Sequence, residues 1–185
     1  MKVIETRLPG CLVLEPRVFG DTRGFFYESF NRDRFAEIGL SMQFVQGNVS
    51  RSSQGVLRGL HFQNPRTQGK LVSVLEGEVW DVAVDIRHGS PTFGHWEGIV
   101  LSADNRRHFW IPEGFAHGFV VLSEQALFTY LCTDTYAPEA DAGIRWDDPG
   151  LAIDWPVARP LLSEKDQKLP LLADLPREGL PVYRG

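Results

Sequence analysis

The chain has 185 residues, a formal net charge of -5, 43% hydrophobic residues and 23% charged residues. Domains of roughly 100 to 200 residues are the usual size, so this length predicts one domain over residues 1–185 with a sizeable core, and the composition excludes a disordered chain. The negative sign disfavours nucleic acid as a partner while leaving room for a small anion held by a few local arginines and lysines.

Neither end of the composition points to an exported or membrane protein. Cys11 and Cys132 stand far apart with no CxxC or Cys/His ligand spacing, so a disulfide framework is not expected and a cytoplasmic protein is the simpler reading. The segment from Met1 to Pro9 has no apolar core of signal-peptide length. No later stretch approaches the ~20 apolar residues of a membrane span.

In chain order, the first predicted element is a short helix that Asn31 caps, that places Phe35 and Ile38 on one side, and that Gly39 ends in a left-handed conformation. Along the whole chain, eighteen glycines and twelve prolines punctuate short apolar runs, the spacing of turns between brief strands. The clearest strands are 69–75, 77–86, 96–101, 108–111, 118–122 and 126–133. In the second of these, Trp80, Val82, Val84 and Ile86 alternate with Val79, Asp81, Ala83 and Asp85. One face is therefore apolar and the other carries carboxylates, as the wall of a barrel with a polar pocket requires. After Trp155, five prolines (Pro156, Pro160, Pro170, Pro176, Pro181) mark a tail expected to pack over the sheets. The fold class is all-β, and sheets of this number and length close as a double-sheet jelly roll or small barrel. Gly59-Leu60-His61-Phe62-Gln63, a turn, and then Val74-Leu75-Glu76-Gly77-Glu78-Val79 resemble the cupin style of barrel, a double-stranded β-helix.

The most informative stretch runs from Gly55 to Leu75. It puts His61, with Arg58 and Lys70, on strands that the rest of the pattern buries. An imidazole with an unperturbed pKa of about 6.5 can accept a proton near neutrality, and a nearby ammonium steadies the negative charge that results. That pairing suggests proton abstraction beside a carbonyl. Arg58 and His61 are three positions apart and on a regular strand would face opposite sides, so either a bulge at Gly59 or a start of the strand after Arg58 is needed. No GxGxxG or GxxxxGK[ST] is present, so a phosphate ligand would have to be held by arginines.

Six segments in order resemble the dTDP-4-dehydrorhamnose 3,5-epimerase family. They begin at Asp21-Thr22-Arg23-Gly24, Gln46-Gly47-Asn48, Leu57-Arg58-Gly59-Leu60-His61-Phe62-Gln63, Ile111-Pro112-Glu113-Gly114-Phe115-Ala116-His117, Tyr130-Leu131-Cys132 and Ile144-Arg145-Trp146-Asp147-Asp148-Pro149. The resemblance implies epimerisation of dTDP-4-dehydro-6-deoxy-D-glucose at C3 and C5 to dTDP-4-dehydro-L-rhamnose, with neither metal nor coenzyme. It implies His61 as the base, oriented by Asp166 of Ser163-Glu164-Lys165-Asp166; Asp81 and Asp85 are alternatives to that partner because their strand carries acids on one face. It further implies Lys70 as the donor to the enolate and Tyr130 as the acid on the opposite face of the sugar. For binding, it implies Arg23 and Arg58 on the diphosphate, Glu28, Gln46, Gly47, Asn48 and His117 at further contacts, Tyr136 against thymine, and Asp141 and Lys165 beside the sugar nucleotide. Two positions depart from the family pattern: Gly47 can offer only backbone, and Asp141 is one methylene shorter than the glutamate expected. A homodimer is implied, its N-terminal part crossing to the neighbour and Arg23 available to either subunit's pocket.

Three other readings compete. Relatives that invert only one carbon, C3 or C5, share most of these motifs. A metal-dependent cupin would use His61 and His117 as ligands, but such sites usually begin with His-x-His, whereas Gln63 stands at the second place here. A non-catalytic sugar-nucleotide module would keep Arg23, Arg58 and Tyr136 but have no use for His61, Tyr130 and Asp166 together.

Overall fold

The computed structural model describes all 185 residues. Four short strands open the chain, β1 (Lys2–Glu5), β2 (Leu12–Glu15), β3 (Val18–Asp21) and β4 (Gly24–Tyr27), followed by the helix α1 (Arg32–Glu37). Asn31 caps α1 by accepting from the N–H groups of Asp33 and Arg34, and Gly39 takes φ +82° just past its end. Then come β5 (Gln46–Ser53), β6 (Leu57–Gln63), β7 (Lys70–Glu76), β8 (Glu78–Asp85), β9 (Trp96–Ser102), β10 (His108–Ile111), β11 (Phe115–Val121), β12 (Gln125–Cys132) and β13 (Asp141–Gly143). A last short helix, α2 (Glu164–Gln167), lies in the tail.

Two antiparallel sheets face each other. One has the order β1-β2-β10-β7-β12-β5, the other β13-β6-β11-β8-β9, and β3 and β4 form a separate hairpin. The jelly-roll core lies between them, where Val13, Val72, Val74, Phe109 and Phe128 of the first sheet meet Val79, Ala83, Phe115 and Phe119 of the second. The alternation read in β8 has a structural consequence on both faces. Val79, Asp81, Ala83 and Asp85 point to the interior, while Val82, Val84 and Ile86 are buried on the outside beneath Leu151, Trp155 and Leu180 of the tail. Trp80 stands edge-on to Trp155 at 5.2 Å between ring centres, part of that outer layer.

The tail is fastened by backbone as well as by side chains. Leu161 N–H donates to Gly55 O at 2.8 Å and Leu57 N–H to Leu161 O at 3.0 Å, so residue 161 is sewn to the start of β6. Further along, Val182 bridges His88, and the Arg87 guanidinium lies over both Phe115 and Tyr183 while it bonds Asp85.

The spacing of Arg58 and His61 is resolved by a bulge. His117 stands opposite His61, yet Phe119 stands opposite Arg58, so two residues of β6, Gly59 and Leu60, share one step of β11. Gly59 adopts φ +121°, and a Cβ there would sit 2.5 Å from Gly118 Cα and 2.7 Å from His117 O. Only glycine permits this approach of the two backbones. Alanine at position 59 combines that clash with a backbone angle it disfavours. Gly59→Ala should lower stability by about 3 kcal/mol in denaturant titration. It should also reduce ligand binding more than a substitution in β9 of equal stability cost, because it moves Arg58 relative to His61.

Candidate active site

A cavity of about 580 Å³ opens between the two sheets at the end formed by β5, β6, β7, β11 and β12, with the tail as one lip. Strand alternation selects its polar lining. Gln46 and Asn48 face in from β5, whereas a side chain at position 47 would point to Leu131, so Gly47 has only its backbone to offer a ligand. Phe119 and Phe128, stacked at 4.1 Å, line its apolar part, and Tyr130 follows Phe128 on the same face of β12.

His61 reaches the cavity one-third exposed, and its Nε2 lies 2.6 Å from Asp166 Oδ1. A neutral ring that donates from Nε2 has its lone pair on Nδ1. Burial pushes the Asp166 carboxyl up, but the bond and charge of His61, Ser163 and the Gly59 N–H outweigh it and hold the acid below the usual range. Asp166 is itself the third residue of a capped turn, since its N–H donates to Ser163 Oγ at 3.0 Å. Of the alternatives, Asp85 serves Arg87, Ser90 and Thr92. Asp81 serves His117, whose Nε2 lies 2.9 Å and 3.1 Å from the two carboxylate oxygens. This second imidazole–carboxylate pair was not legible in the sequence beyond the acids on alternate positions of β8. Burial pulls the His117 pKa down, with Asp81 opposing it.

Lys70 is the first residue of β7, in a sheet interior between β10 and β12, and not at an edge. Its side chain turns into the cavity, 8% exposed as a residue and paired with no carboxylate. Burial depresses its pKa; Cys132, Asp81 and Asp141 pull the other way. Burial also raises the Tyr130 pKa above its ordinary value, with Cys132 adding to the rise and Arg58 opposing it, so the phenol is protonated at neutrality. Arg58 donates to Ser52 Oγ at 3.1 Å and has no carboxylate partner. At the mouth, Asp141 accepts from Tyr136 Oη at 3.0 Å and pairs with Lys165.

The charges therefore sort into pairs and a surplus. Asp81, Asp141 and Asp166 each have a basic partner, whereas Arg58 and Lys70 have none, so the cavity is suited to an anionic ligand. Two expected residues lie outside it. Arg23 sits at the turn of the β3–β4 hairpin, where its side chain is 87% exposed and paired with Asp21. Glu28 instead pairs with Arg34 and accepts from Asn31 at the start of α1. No three His, Cys, Asp or Glu side chains converge as metal ligands.

A jelly roll that holds a carboxylate-backed imidazole, a buried ammonium and a phenol around one cavity belongs to the cupin-type enzymes that move protons at carbon. The sequence model of dTDP-4-dehydrorhamnose 3,5-epimerase matches residues 5–174. The enzyme of that name from Pseudomonas aeruginosa is 58% identical over 176 residues, covering 94% of this chain and 97% of the relative. The one from Escherichia coli K12 is 57% identical, with 96% and 97% covered. The crystal structure of the dTDP-6-deoxy-D-glucose-3,5-epimerase of Legionella pneumophila, solved with dTDP-4-keto-L-rhamnose, superposes with a TM-score of 0.97 at 56% identity, over 100% of this chain and 99% of that one. The chain belongs to the dTDP-4-dehydrorhamnose 3,5-epimerase family, and its fold is the cupin-type jelly roll of that family.

The unpaired lysine has a measurable cost. Burial depresses the folded pKa of Lys70, so in the folded state the charged form carries a desolvation penalty. That penalty fades as pH rises through the folded value toward the unfolded value of about 10.4. Lys70→Met should therefore raise the thermal midpoint by about 5 °C at pH 7, and the gain over wild type should shrink as pH approaches about 10. Equal midpoints at pH 7 would mean that the ammonium is not held without water.

Proposed function

We propose that this chain epimerises dTDP-4-dehydro-6-deoxy-D-glucose at C3 and C5, in the formation of dTDP-L-rhamnose. His61 Nδ1 takes a proton from a carbon beside the C4 ketone. The imidazolium that forms keeps its Nε2–H on Asp166, whose negative charge stabilises it. The electrons of the C–H bond move onto the ketone oxygen as an enolate, and the Lys70 ammonium donates to that oxygen from a site with little water to reorganise. Tyr130 returns a proton to carbon from the other face, so the centre is inverted. The diphosphate lies against Arg58, the nucleobase against Tyr136, and His117, Asn48 and Lys165 make further contacts. The observation that carries this reading is the convergence of His61–Asp166, Lys70 and Tyr130 on one cavity whose unpaired charges are positive.

The assembly we infer is a homodimer acting in the cytoplasm. The hairpin leaves Phe19, Phe25 and Phe26 at least half exposed, and Val49 and Leu75 of the six-stranded sheet are exposed as well, a larger apolar surface than a lone domain usually leaves in water. Docking of that hairpin on a neighbour would carry Arg23 away from its own cavity and toward the partner's. Arg23→Ala should then weaken dTDP binding about tenfold. A mixed dimer of Arg23→Ala and His61→Ala subunits should regain one working site, which a residue serving its own pocket would not give.

Incubation with dTDP-4-dehydro-6-deoxy-D-glucose in deuterated water, followed by mass spectrometry, tests the reaction. Two deuterons are expected in the product; one would assign a single-centre epimerase, and none would refute the proposal. His61→Ala should abolish exchange while dTDP affinity stays within about tenfold, or about 1.4 kcal/mol. Exchange that survives this substitution would mean a different base.

A further inference from the structure

Gln63 closes β6 on the same face as His61, is 4% exposed, and has no role in the proton transfers described. Every polar group it owns is engaged by the backbone of two loops, one at Arg66 and one at 135–137. Nε2 donates to Arg66 O at 2.9 Å and to Thr135 O at 3.3 Å, and Oε1 accepts from Ala137 N–H at 2.9 Å. A primary amide has two N–H donors, and both are used, so Gln63 has no donor left for a ligand although it lies on the cavity wall.

The residue between Thr135 and Ala137 is Tyr136. From the opposite side of the mouth, Gln46 Oε1 accepts the Tyr136 N–H at 2.7 Å while Gln46 Nε2 donates to Asn48 Oδ1 at 3.1 Å. The phenol of Tyr136 is tied in turn to Asp141. Residues 135, 136 and 137 are thus hung from two glutamines on two different sheets, with the ring itself 54% exposed across the opening. A buried amide in place of an apolar side chain is costly unless its hydrogen bonds are made, and here two of the three are made to the backbone on either side of one aromatic ring, the third going to Arg66 O.

We infer that Gln63 is a positioning residue that holds the Tyr136 ring as a fixed platform for the nucleobase, and so sets affinity for the nucleotide without touching it. The inference rests on the reading of Tyr136 as the nucleobase contact. A loop already ordered in the free protein does not lose that freedom on binding, so the clamp strengthens binding by reducing the entropy cost. The remote reacting end of the site is untouched by it.

Calorimetric titration with dTDP and steady-state epimerase assays on Gln63→Met, Tyr136→Ala and the double variant test this. Gln63→Met should raise the Kd for dTDP and the KM about fivefold, with kcat within about twofold, and should add no further weakening in the Tyr136→Ala background. Equal weakening in both backgrounds, or a fall in kcat with KM unchanged, would overturn the inference. So would wild-type affinity in Gln63→Met where Tyr136→Ala binds weakly. Unchanged dTDP affinity in Tyr136→Ala alone would overturn the platform reading itself. Should Gln63→Met not fold, Gln63→Glu keeps the acceptor for Ala137, removes both donors and allows the same comparison.

Discussion

The 2.6 Å hydrogen bond between His61 and Asp166 joins the middle of β6 to a turn of helix 105 residues later, and the remainder of the tail is arranged to make it possible. A helix of four residues has no stability of its own. It is fixed by the Ser163 cap, by the backbone stitches of Leu161 to the start of β6, and by Leu162, Leu172 and Leu175 packed on the outer core that includes Leu60 and Val82. The outer face of the five-stranded sheet thus does two things at once. It buries Val82, Val84 and Ile86, and it delivers a carboxylate around the edge of the barrel to the back of an imidazole on the inside. A tail loosened from that face would leave His61 without the group that orients it.

Inside the cavity the electrostatics follow from which charges are satisfied. Three carboxylates are each matched to a base, two of them imidazoles that stand opposite one another on β6 and β11. That leaves the guanidinium of Arg58 and the ammonium of Lys70 as charges with no counter-ion in the protein. On the mechanism proposed above, an anionic ligand would supply what the protein withholds, and the enolate oxygen would meet a cation already in place. Holding a buried, unpaired ammonium should cost fold stability, which is the usual exchange between a pre-organised site and stability.

Much of this was legible in the sequence because it depends on local periodicity. The six strands read from apolar runs appear within a few residues, the Asn31 cap and the Gly39 terminus appear as expected, and the carboxylates of β8 face inward as their alternation requires. The early strands β1 to β5 are not among the predicted elements: β1 to β4 have only four residues each, too few to show an alternation, and β5 is polar and half exposed, so that no apolar run marks it. The pairing of Asp166 with His61 could be reached only through family resemblance, since a Ser-x-x-Asp segment reads equally well as a capped turn; the residue proves to be both. Asp81 is read from the sequence only as an alternative partner for His61, and Gln63 as no positioning residue, because their partners are long-range, His117 across a strand pair and the loop at 135–137 far along the chain. Nothing in the neighbourhood of either residue names those partners.

The two ends of the cavity differ in kind, and the difference suits a reaction that asks a sugar to offer more than one carbon to the same base. The mouth is rigid and polar: two glutamines, Asp141 and Lys165 hold Tyr136 and leave few groups free to move. The inner part is aromatic, with Phe119 stacked on Phe128 and His117 lying parallel to Phe128. Apolar walls bind a ring without fixing its rotation, and they strengthen the few charges set among them by excluding water. With the nucleotide at the mouth, as proposed, specificity would come from the end where the hydrogen bonds are, and the sugar end would keep the freedom that inversion at two centres requires.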